Sequence, residues 1–124
     1  MNKNIEILSL ERSLSEGADL WIIKNDPSIK IWQELDFYSK KLLSDNYIKD
    51  QTKKTVLLGT ADHFLNRWVL LWKDLNEEEL TNIVVKTCES LKTNRIRIFT
   101  ESFLAEKLIT RQTTSPLKIS VLKN

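Results

Sequence analysis

In 124 residues the chain holds two glycines, one histidine and one cysteine, with 41% hydrophobic and 29% charged residues and a formal charge of +2. Such a composition belongs to a soluble globular domain, and the length suits one domain over residues 1–124 that buries about two-thirds of the surface its unfolded chain exposes, needing no metal or disulfide staple. Solitary glycines at 17 and 59 leave no phosphate-cradling loop or dinucleotide-binding turn, and a lone Cys88 and a lone His63 leave no zinc-ligand pairs, so no cofactor and no metal site is expected.

Along the chain, Ile7, Leu10 and Leu14 fall at helical spacing ahead of Gly17, and the spacing predicts a helix over 4–15; Ile5-Glu6-Ile7 also suits the start of a strand. Leu20-Trp21-Ile22-Ile23 is a continuous apolar run, the pattern of a strand buried on both faces. It stops at Asp26-Pro27, where Asp suits a helix cap and Pro a first turn. A helix over about 27–45 follows, with Ile31, Trp32, Leu35, Tyr38 and Leu42 on one stripe. Residues 45–54 are polar and read as a loop. Thr55-Val56-Leu57-Leu58 repeats the buried-strand pattern up to Gly59.

From Ala61, the set Ala61, Phe64, Leu65, Trp68, Leu71, Trp72 and Leu75 matches a helical template, predicting a helix over about 61–73. Residues 67–72 also favour a strand, and a hairpin returning from 55–58 is the alternative. Asn76-Glu77-Glu78-Glu79 is a capping box, which starts a helix over 76–91 that buries Leu80, Ile83, Val84, Thr87 and Leu91. Arg95-Ile96-Arg97-Ile98-Phe99 and Leu117-Lys118-Ile119-Ser120-Val121 alternate, as strands with one wet face do, and Phe103, Leu104, Leu108 and Ile109 mark a short helix between them.

Strands and helices in alternation predict an α/β fold: a sheet of about four strands, largely parallel or mixed, covered by helices. The two continuous runs belong in its middle and the two alternating segments nearer its edges. If 67–72 is a strand, the sheet is mixed and the class becomes α+β.

Charge is distributed unevenly. Residues 1–91 carry twelve basic and fifteen acidic side chains, whereas residues 92–124 carry seven basic and two acidic. No apolar run approaches the roughly 20 residues that cross a bilayer, and the first residues form no secretory signal. No membrane association is expected, and the chain reads as cytoplasmic.

In an open α/β sheet, ligands gather at the carboxyl ends of strands. That rule selects Lys24-Asn25-Asp26, the segment from Gly59 to His63, and Thr100-Glu101-Ser102. Thr60, Asp62 and His63 are therefore the candidate ligand-binding residues, with Thr60 suited to an anion and His63 to acid/base work. Adjacent helical residues point about 100° apart, so Asp62 is badly placed to orient His63. Cys88 and the three consecutive glutamates read as packing and helix cap. Arg95, Arg97 and Lys118 would form a basic strip for an anion or nucleic acid; the same residues also suit the guarding of a sheet edge.

Trp21, Trp32, Trp68 and Trp72 all fall on predicted core positions, yet with Phe37, Tyr38, Tyr47 and Phe64 they make a generous aromatic supply. Aromatic anchors are what protein interfaces concentrate. The leading expectation is a small non-enzymatic binding or regulatory module acting through a protein partner or a second copy of itself. Anion or nucleic-acid binding by the basic final quarter is the alternative, and a small enzyme around Thr60, Asp62 and His63 is the third reading.

Overall fold

Leu20 and Trp21 are sequence neighbours that end in two different cores, because successive side chains of a strand point to opposite faces of a sheet. The chain is described by a computed structural model covering residues 5–16, 18–59, 68–99, 101–111 and 118–122. Its elements are β1 (Ile5–Leu8), α1 (Leu10–Glu16), β2 (Leu20–Lys24), α2 (Lys30–Tyr38), α3 (Leu42–Asp45), β3 (Thr55–Gly59), β4 (Trp68–Trp72), α4 (Glu77–Leu91), β5 (Arg95–Phe99), α5 (Ser102–Arg111) and β6 (Lys118–Leu122). The fold is α/β, built on one sheet with strand order β1-β6-β5-β2-β4-β3. Every neighbouring pair is parallel except β3 with β4, so the sheet is mixed. Among the described residues it has six strands, against the expected four.

On one face α4 and α5 bring Leu80, Val84, Leu104 and Leu108 against Leu20, Ile22, Leu70, Ile96 and Ile98. On the other, α2 and α3 bring Ile31, Trp32, Leu35 and Leu43 against Trp21, Ile23, Val69, Leu71 and Phe99, and α1 adds Leu10 and Leu14. Each large apolar side chain fully buried in this way contributes about 1.5–3 kcal/mol. None of the described helices is long and apolar enough to cross a membrane.

Four expectations need correction. First, residues 68–72 are strand β4, not the end of a helix over 61–73. A continuous apolar run satisfies a helical and a strand template equally; here Val69, Leu70, Leu71 and Trp72 are buried between the two helix layers, with β2 and β3 bonded to the strand's two edges. Second, residues 5–8 form a strand ahead of a shorter helix, so Ile7 belongs to β1. Third, the helix expected over 27–45 begins at Lys30 and breaks after Tyr38. Asp26 accepts from the backbone N–H and hydroxyl of Ser28, which makes a turn ahead of the helix. At the break, Lys40 and Lys41 both adopt left-handed backbone (φ 57° and 69°), with the N–H of Lys41 bonded to Asp36 O at 2.7 Å. The Asp36 carboxylate then accepts from the backbone N–H and hydroxyl of Ser44, tying α3 to α2.

The fourth correction concerns strand placement. β3 lies at an edge, whereas the alternating strands β5 and β6 are interior. The polar positions that suggested a wet face, Arg97 and Ser120, are directly opposite each other and buried. Arg97 Nε donates to Ser120 Oγ at 2.6 Å, so one polar residue satisfies the other inside the protein.

The capping box is present as expected. Asn76 Oδ1 accepts from Glu79 N at 2.8 Å, and Glu79 Oε1 accepts from Asn76 N at 3.0 Å. Together they satisfy two of the N–H groups that the first turn of α4 leaves without helical partners.

Candidate functional site

The carboxyl ends of the parallel strands β2, β4 and β5 share one rim, where Lys24, Trp72 and Phe99 close their strands. Helices α4 and α5 leave from β4 and β5 onto one face; the chain after β2, which lies between those strands, goes to the other. A crevice follows from that divergence. It is an open depression of about 660 Å³ with Lys24 and Trp72 from the strand ends, Glu77 and Glu79 from α4, and Glu101 and Phe103 from the start of α5 among its lining residues. The Lys24 ammonium stands 5.5 Å from the centre of the Trp72 ring, a cation–π contact.

Two of the carboxylates around this depression have structural partners. Glu79 closes the capping box, and Glu77 lies 4.0 Å from Lys107 Nζ. Acidic residues in the first turn of α4 also complement the positive end of its dipole. Among the described residues no three His, Cys, Asp or Glu side chains gather as metal ligands.

Two of the three sequence-selected rim segments meet at this crevice, through Lys24 and Glu101. Of the third, only Gly59 is among the described residues, and it lies away from this rim. Because β3 runs antiparallel, Gly59 pairs with Trp68, whose partner on β2 is Leu20, and so lies at the amino ends of β4 and β2. Thr60, Asp62 and His63 lie outside the described residues.

Asn25 has a task that its position did not announce. Its side chain is buried and bonds both backbone groups of Ile48: Nδ2 donates to Ile48 O at 3.3 Å, and Oδ1 accepts from Ile48 N at 3.1 Å. An asparagine amide offers one donor group and one acceptor in a plane, matching a peptide edge. The residue fastens the segment after α3 to the end of β2.

The basic residues separate by depth. Arg95 and Lys118 are opposite each other at the amino ends of β5 and β6, both exposed, with Arg95 Nη1 3.9 Å from Asp19 Oδ1. Arg97 lies one step inward on the same face and is only 3% exposed. Its Nη1 donates to Ser13 O at 2.8 Å, and its guanidinium stands 5.2 Å from the centre of the Trp21 ring. Burial pulls its pKa below the ordinary arginine value, opposed by Glu16 and Glu6.

Three of the four tryptophans, Trp21, Trp32 and Trp72, are buried, and their indole N–H groups have no hydrogen-bond partner. The exposed aromatics lie elsewhere. Phe37 is 77% and Tyr38 51% exposed at the end of α2, with ring centres 5.5 Å apart and planes 78° apart. The buried stripe Ile31, Trp32 and Leu35 holds the helix on the sheet and turns Phe37 outward. Tyr47 adds a third partly exposed ring after α3.

Cys88 is buried on α4, and burial, with Glu89 beside it, pushes its thiol up to about 12. The thiol is therefore neutral at pH 8, and iodoacetamide is expected to label the native chain at least about tenfold more slowly than the chain in urea. The linkage has a definite sign. Between about pH 9 and 12 the unfolded thiol releases its proton and the native one keeps it, so stability falls with rising pH there. Equal labelling rates in the native and unfolded chains would refute the buried placement.

No protein-family model matches the chain, and no curated protein matches it.

Proposed function

We propose that the chain is a non-enzymatic cytoplasmic binding module that acts by docking a protein partner on the aromatic end of α2. The observation carrying this reading is the exposure of Phe37 beside Tyr38, two large rings stacked edge to face on a helix whose other side is anchored in the core. Water contact on a side chain of this size forfeits about 1.5–3 kcal/mol that a partner's surface can recover. Paired aromatics on a firm support are also what interface hot spots are made of.

The basic strip is the competing reading, and it rests on Arg95 and Lys118, since the Arg97 guanidinium is turned inward. The third reading keeps Thr60, Asp62 and His63 as its residues.

Phe37→Ala combined with Tyr38→Ala is the decisive variant. Affinity capture with wild type and variant, followed by reconstitution from purified components, is expected to yield a partner bound by wild type and weakened at least about tenfold by the double substitution. The variant's thermal midpoint should stay within a few degrees, because neither ring is buried. A partner that binds both forms equally refutes the proposed docking surface. Nucleic-acid binding that falls with salt and with Arg95→Ala plus Lys118→Ala would replace it.

A further inference from the structure

Strand β3 closes one side of the sheet, and the way it pairs with β4 fixes which of its backbone groups face outward. The N–H of Lys73 donates to Lys54 O at 2.9 Å, so the opposed residues 54 and 73 are a hydrogen-bonded pair. In an antiparallel ladder such pairs alternate with non-bonded ones. Val56 and Leu58 therefore direct their N–H and C=O groups to Leu71 and Val69, while Thr55, Leu57 and Gly59 direct theirs to the side where no described strand lies. The same alternation places Trp68 and Trp72 toward β2 on the far side of β4, as the bonds from Trp68 N to Asp19 O and from Asn25 N to Trp72 O require.

Folded proteins guard such edges with charge, proline or brevity. At the other end of the sheet β1 is four residues long and carries Glu6 near its middle. β3 has none of these guards within Thr-Val-Leu-Leu-Gly, and its central residue, Leu57, is 43% exposed.

We infer that β3 pairs antiparallel with β3 of a second copy of this chain, about a two-fold axis at Leu57. Self-complementarity selects this occupant. Centred on Leu57, antiparallel pairing sets the outward groups of Leu57 against their own copies and those of Thr55 against Gly59, and three outward residues per strand give about six hydrogen bonds between copies. The two Leu57 side chains meet on one face of the joined sheet, and Val56 meets Leu58 on the other. Charge favours the same arrangement. Lys53 and Lys54 precede the strand, so antiparallel pairing carries the two lysine pairs to opposite ends, whereas parallel pairing would set them side by side.

The test measures molar mass by light scattering across protein concentration for the intact chain. Wild type is expected to approach the dimer mass at tens of micromolar, on the order of ordinary transient interfaces. Leu57→Lys opposes like charges at the axis, and Leu57→Pro removes an outward N–H that β4 does not use. Each is expected to shift the dissociation constant upward at least about tenfold, with circular dichroism verifying an intact fold. Leu57→Cys in a Cys88→Ala background should form a disulfide-linked dimer under mild oxidation, because opposed antiparallel residues lie within disulfide reach. Should Leu57→Lys and Leu57→Pro both unfold, this cross-link decides alone. A wild type that stays monomeric at hundreds of micromolar overturns the inference, as does a dimer that survives both Leu57 substitutions or dissociates on Phe37→Ala.

Discussion

Arg97→Ala is expected to destabilise the protein by about 3–5 kcal/mol, read as a lower denaturant midpoint with an unchanged slope. Three losses coincide at this site. The guanidinium bonds Ser120 Oγ and Ser13 O, joining β5 to β6 and to α1, and it stacks over Trp21. Truncation to alanine removes these contacts, leaves the carbonyl of a buried serine short of a donor, and opens a void beside a tryptophan that is itself fully buried. Arg97→Met separates charge from volume. It refills most of the space without an ion to desolvate, so its cost should be clearly smaller than that of alanine. A loss under about 1 kcal/mol for Arg97→Ala, accompanied by weaker phosphate or nucleic-acid binding, would instead make the arginine a surface ligand contact.

Asn25→Ala is expected to cost about 2–4 kcal/mol, because it strands the N–H of buried Ile48 and takes one of two donors from its C=O. Lys73 Nζ lies 3.5 Å from Ile48 O and relieves only the acceptor. Asn25→Asp tests the same bond differently. An ionised carboxylate still accepts from Ile48 N but faces the Ile48 carbonyl oxygen without a proton to donate. The aspartate variant should therefore recover stability as pH falls through its carboxyl titration, whereas the alanine variant should not. Amide exchange at Ile48 that is unchanged in either variant would contradict the clamp.

The readable parts of this fold are those with local chemistry of their own. Asn76 and Glu79 announce α4 because a capping box is satisfied within four residues. The uninterrupted run at 20–23 announces a buried strand for a similar reason. Residues 68–72 defeat the same reading, since five apolar residues in a row carry no period and only the neighbours β2 and β3 decide between helix and strand. The break at Lys40 and Lys41 is also illegible, because left-handed backbone is the habit of glycine and asparagine and here two lysines adopt it. Arg97 and Ser120 mislead by pairing across strands 23 residues apart, a relation no window of local sequence contains.

For the candidate sites, the strand-end rule found Lys24 and Glu101 and overlooked that an antiparallel β3 sends its end to the opposite rim. The expected stripe left Phe37 off the core side of α2 but wrongly included Tyr38, which is 51% exposed because the helix ends there and the buried stripe stops at Leu35.

β1 touches the sheet through β6 alone, with Ile5 opposite Ile119 and Leu8 opposite Leu122. During synthesis, the earliest described strand must wait for the latest before any ladder can hold it. The loop closed by that pairing runs from Ile5 to Ile119, so its ordering cost falls late, once β2, β4 and β5 have assembled. Until β6 is in place Leu8, buried in the finished fold, stays open to solvent on an unpaired strand, a state prone to aggregation.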